Sequence, residues 1–142
     1  QSQGGAQQAS LPSGDPQEQY RFAVGLLQQR NFGEANVAFR QFVERNPDHP
    51  LASNALYWLG ETHYVRQEFA EAARVYSDGY LKYPSGSKAP DNLLKLGMSL
   101  GALGEGASAC KALAKLIQDF PDAPSTMLAK AKSEQRQYGC SG

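Results

Sequence analysis

The feature that most constrains this 142-residue chain is a repeat of 37 residues. Three prolines recur at that interval, in Asn46-Pro47, Tyr83-Pro84 and Phe120-Pro121. Small residues keep the same register at Ala35, Ala72 and Ala109, and bulky ones at Phe39, Tyr76 and Leu113. A bulky-then-small pair recurs as Phe22-Ala23, Leu59-Gly60 and Leu96-Gly97. Self-similarity at such a period marks a stack of like supersecondary units, none able to bury its apolar face alone. The columns describe a helical hairpin. The pair in the first helix lets it press closely on its partner, and the later alanine gives the matching approach from the second helix. The bulky residue four positions on lies on the same face and fills the space between hairpins. Proline then ends the second helix, since it has no N–H and disfavours αR in the residue before it.

This small/large/proline pattern resembles the tetratricopeptide repeat, whose usual length is about 34 residues. The expected fold is all-α: a right-handed superhelix of three hairpins over about 16–50, 53–87 and 90–123, followed by a C-terminal capping helix over about 124–138. The repeat domain as a whole is taken as 15–142. Individual helices are expected near 16–30, 33–45, 51–66, 69–82, 90–103, 106–119 and 124–138. Asp15-Pro16-Gln17-Glu18 is a helix-start signal, and Pro84 to Pro90 is read as the lengthened loop between repeats. Residues 1–14, with Leu11 their only large apolar group, are expected to be a flexible linker.

Fourteen basic side chains balance fourteen acidic ones, which gives no electrostatic reason to expect nucleic acid or an anionic membrane as partner. No apolar run reaches the eighteen or so residues that span a bilayer, so membrane insertion is not expected. Without an initiator Met or a leader, the chain reads as a mature or excised piece. Cys110 and Cys140 are too few for a disulfide scaffold and wrongly spaced for zinc.

Catalytic signatures are missing: no nucleophile elbow, P-loop, zinc-protease motif or dinucleotide fingerprint occurs. His49 falls in a loop, and His63 on a helix at the column of Leu26 and Leu100, where a semi-buried side chain is expected. No catalytic residue, metal site or cofactor is assigned. What remains is surface. The first helices of the hairpins should line a concave stripe that takes an extended or helical peptide. Aligning the repeats puts Tyr20, Val24 and Leu27, then Asn54, Tyr57, Glu61 and Tyr64, then Asp91, Leu94 and Met98 on it, with Trp58 beside it. About half of these are expected to be accessible, Tyr57 and Tyr64 above the rest. A clamp for a C-terminal carboxylate is not expected, because Tyr20, Val24 and Tyr57 stand where such clamps carry cations or amides.

The stretch Asn54-Ala55-Leu56-Tyr57-Trp58-Leu59-Gly60-Glu61 is similar to a signature of the Tol-Pal-associated YbgF/CpoB family of cell-division coordinators. Ala35 to Phe42, Tyr83-Pro84-Ser85-Gly86-Ser87-Lys88-Ala89 and Phe120-Pro121 agree with it, so the resemblance covers about 16–138. It implies a periplasmic, non-enzymatic scaffold that binds the energy transducer TolA. It also implies a role in coordinating outer-membrane constriction with septal peptidoglycan synthesis by a bifunctional penicillin-binding protein. A preceding coiled coil would make the full-length protein a homo-oligomer, and this piece alone a monomer. A cysteine pair departs from the general family pattern. The alternative is a repeat adaptor in another envelope assembly, for outer-membrane protein insertion or secretion.

Helical rise bears on the cysteines. Cys110 lies about 18 Å before the turn at Pro121–Pro124, and the last helix runs back about 22 Å before Cys140. The two sulfurs should arrive at a similar height, so a Cys110–Cys140 disulfide is expected. In the alternative, Cys110 is a small buried filler and Cys140 a free thiol.

Overall fold

The computed structural model describes residues 11–141. Among them are the helices α1 (Pro16–Gln28), α2 (Phe32–Arg45), α3 (Ala52–Val65), α4 (Phe69–Lys82), α5 (Ala89–Ala102), α6 (Gly106–Asp119) and α7 (Ser125–Gln137), and no strand. Their ends fall within two residues of the expected ones. Each helix packs on its sequence neighbours, and α3 also touches α5, and α5 touches α7. The result is an all-α stack of hairpins, α1–α2, α3–α4 and α5–α6, with α7 against α5 and α6.

The local chemistry of the helix ends repeats with the sequence. Asp15 caps α1 by accepting from the Gln17 amide at 3.1 Å, with Pro16 in the first turn where its missing N–H costs nothing. The odd-numbered helices all end alike. Residues Arg30, Gln67, Gly104 and Gly139 take positive φ of 63°, 62°, 79° and 69°. The next amide reaches back six residues inclusive: Asn31 to Leu26, Glu68 to His63, Glu105 to Leu100 and Cys140 to Gln135, each at 2.9 Å. This is the Schellman ending, which satisfies the last carbonyls of a helix and turns the chain sharply. It reverses the chain into α2, α4 and α6. Those three helices stop at Asn46, Tyr83 and Phe120, all with φ near −130° and each followed by the repeat's proline.

Packing within hairpins follows the columns. Phe39, Tyr76 and Leu113 are fully buried. A Cβ on Gly60 would stand 2.6 Å from the Tyr76 ring, and one on Gly97 2.7 Å from Leu113. The small residue of one helix therefore receives the large residue of the next. One core gathers α1, α2 and α3 around Phe39, Phe42, Leu56 and Leu59. Another joins α5, α6 and α7 through Leu93, Leu113, Leu116 and Ala131. Between them Tyr57, Ala72 and Tyr76 form a smaller cluster.

Two findings concern the chain ends. Residues 1–10 of the expected linker lie outside the described residues. Leu11, at its far end, is not solvated: it is 6% exposed in the first core, its amide donates to Gln41 Oε1 at 3.1 Å, and Pro12 O accepts from Gln19 Nε2 at 2.8 Å. One large apolar side chain beside an open hairpin flank is enough to hold the segment locally. At the other end α7 covers α6 with Ala131 and Met127, and Tyr138 lies against Gly101 where any Cβ would collide with its ring.

Candidate functional site

The expected stripe comes from α1, α3 and α5. None of its eleven side chains is fully exposed. Tyr57, expected among the most accessible, is instead 8% exposed. Its ring lies 5.9 Å from that of Tyr76 and 5.2 Å from Trp58, because its helix face turns toward α4 as well as toward the stripe. Burial pushes its hydroxyl pKa up, with Glu61 and Asp91 adding to the effect. Val24 and Leu27 are half-buried against the first core, and Leu94 against the α5–α6–α7 core. Tyr20 packs edge-on to Phe39 and Phe42, and its hydroxyl accepts from Trp58 Nε1 at 2.9 Å. Asn54 Oδ1 accepts from Ser87 Oγ at 2.9 Å, tying the start of α3 to the loop before α5.

The remaining members form a connected polar and aromatic patch. Glu61 accepts from the Tyr76 hydroxyl and pairs with Lys95 Nζ at 3.3 Å. The Lys95 ammonium stands 3.8 Å from the centre of the Tyr64 ring. Upstream, Lys88 Nζ lies 5.0 Å from the Tyr57 ring centre and 5.1 Å from that of Trp58. These are cation–π geometries, which hold an ammonium without a full counter-ion. Asp91, in the first turn of α5, has its carboxyl pKa raised, chiefly by burial, while Lys88 draws it back. Tyr64 is also raised, first by burial and then by Glu134 across the face. Met98 is half-buried on α5.

Lys88 and Lys95 bring two ammonium groups to the stripe, at positions other than Tyr20, Val24 and Tyr57. Lys95 was findable, since it occupies the column of Trp58. Lys88 was not, because it reaches the stripe only through the path of the loop that precedes α5. His63, expected to be semi-buried, has Nδ1 2.8 Å from Glu68 Oε1 and Nε2 3.1 Å from Asn36 Nδ2, joining α3 to α2 and to the turn before α4. Cys110 and Cys140 are joined by a disulfide, with Cα atoms 5.5 Å apart. Among the described residues no cluster of three His, Cys, Asp or Glu side chains could hold a metal ion. No described helix is long and apolar enough to cross a membrane.

Comparison with known proteins matches the hairpins directly. Two tetratricopeptide-repeat family models match residues 20–89 and 91–123. The "Cell division coordinator CpoB" of Pseudomonas putida is 37% identical over 60 residues, 40% of this chain. This chain belongs to the tetratricopeptide-repeat family. The protein of the same name from Escherichia coli (strain K12) is 37% identical over 57 residues, 39% of this chain. Each match spans 22% of the relative's own length.

Proposed function

We propose that this domain is the partner-binding module of a periplasmic cell-division coordinator in the Tol-Pal machinery. In this reading it holds a TolA-like polypeptide on the α3–α5 stripe and couples outer-membrane constriction to septal peptidoglycan synthesis by a bifunctional penicillin-binding protein. The observation that carries the reading is the patch of Trp58, Glu61, Tyr64, Lys95 and Met98, all partly exposed on first-of-hairpin helices. Aromatic side chains there offer contact area at low entropy cost, and the Glu61–Lys95 pair offers a donor and an acceptor to peptide backbone. The name borne by the relatives supports a role in division, and a repeat domain supports protein binding over catalysis. The Cys110–Cys140 bond favours an oxidising compartment.

Calorimetric titration with a TolA-like periplasmic domain tests it. Tyr64→Ala combined with Met98→Ala is expected to weaken binding by about 2 kcal/mol or more, the usual loss for a contact anchor. The melting temperature should stay within a few degrees. Unchanged affinity would remove this face from the binding site.

A further inference from the structure

A second groove lies away from the stripe, between α6 and α7. It has a volume of about 520 Å³ and is lined by Ile117 and Gln118 from α6, Lys132, Gln135 and Arg136 from α7, and Cys140. Its electrostatics are one-sided. Lys132 and Arg136 are exposed and stand four residues apart on one helix, where like charges repel. Among the described residues neither has a carboxylate within ion-pairing distance. The acids of these two helices are engaged elsewhere: Asp119 with Lys115 at 2.7 Å, and Glu134 with Lys130 at 3.0 Å and the Tyr138 hydroxyl at 2.6 Å. Lys111 extends the basic row along α6 on the face of Ala114 and Gln118.

We propose that this groove docks an acidic segment of a partner polypeptide, one that places a carboxylate next to an aliphatic side chain. The carboxylate bridges Lys132 and Arg136, where a guanidinium can pair in bidentate fashion and the Gln118 and Gln135 amides can donate to the remaining lone pairs. The aliphatic neighbour lies on half-buried Ile117. A polypeptide fits better than a membrane surface, because the cations line a cleft with an apolar wall rather than a flat basic face. The chain's net charge of zero also gives no general attraction to anionic surfaces. The disulfide fixes Cys140 beside Cys110, which keeps one end of the cleft in place.

The test is fluorescence anisotropy of a short fluorescein-labelled peptide of alternating leucine and glutamate, titrated with the intact chain. Saturable binding is expected, weakening with added salt and at least tenfold weaker for Lys132→Glu with Arg136→Glu. The milder Lys132→Gln, Arg136→Gln pair should lose less, in the same direction, and Tyr64→Ala should change nothing. Circular dichroism is expected to be unaltered, since both side chains are exposed. No saturable binding, equal binding of a leucine–lysine peptide, or retained affinity after charge reversal would each overturn the proposal. So would charge-sensitive binding to phosphatidylglycerol vesicles without peptide binding, which would assign the cleft to lipid. None of these outcomes bears on the TolA-like titration, which reads the other face.

Discussion

At the scale of single residues, the turns after α1, α3 and α5 impose one demand on three different side chains. Arg30, Gln67 and Gly104 are 37 apart and all left-handed, yet only the third is glycine. A side-chain-bearing residue in that conformation costs about 1–2 kcal/mol. Gln67→Gly is therefore expected to raise stability by about 1 kcal/mol, read as a higher urea midpoint at unchanged m-value, and Gly104→Ala to lower it by a similar amount. Arg30 is a poorer probe, because its guanidinium lies 5.5 Å over the Phe32 ring. Asp91 gives a prediction in pH. Burial holds its folded pKa above the ordinary aspartate value, so the folded state holds the proton more tightly than the unfolded chain. Its contribution to stability therefore falls as pH rises from the unfolded value through the raised folded one. Asp91→Asn should raise the denaturation midpoint at neutral pH and have almost no effect near about pH 3, where both side chains are uncharged. Individual burial was the least legible level. Tyr57 sits in an accessible column, but the turn of α3 toward α4 sinks it, and no spacing rule encodes that angle.

At the scale of elements the sequence was far more explicit. Period and proline placed the helix ends, because proline acts through local sterics that tertiary packing does not override. The small residues at 60 and 97 announced close approach, and the structure shows what approaches. Gly60→Ala should destabilise by about 1–3 kcal/mol despite its better helix propensity, since Tyr76 is fully buried and tethered to Glu61. Chemical denaturation would settle this, and a neutral or stabilising outcome would mean the Tyr76 ring has room to slide. For α7, the closing bond can be removed cleanly. Replacing both Cys110 and Cys140 by serine opens a loop with a sequence separation of 30. In the chain-entropy model this costs up to about 3.5 kcal/mol. A thermal midpoint insensitive to dithiothreitol and to the double substitution would show that α7 is held by Ala131 and Tyr138 alone.

Across the whole molecule, a charge count of zero concealed two unlike faces. Along the stripe each acid has a nearby ammonium, whereas the α6–α7 cleft keeps its cations uncompensated. Formal totals could not reveal this, because pairing depends on which side chains the hairpins bring within a few ångströms. The stripe's aromatic membership was readable from alignment, but Lys88 and the second cleft depend on loop path and helix tilt, which periodicity leaves open.

The seating of Leu11 bears on how force would pass through such a protein. Among the described residues the chain is gripped ahead of the start of α1, by the Leu11 side chain sunk in the first core and by hydrogen bonds to Gln41 of α2 and Gln19 of α1. Tension arriving along the preceding residues is thus shared across both helices of the first hairpin. It would load them in shear, against several contacts at once, instead of peeling α1 away turn by turn from its exposed end.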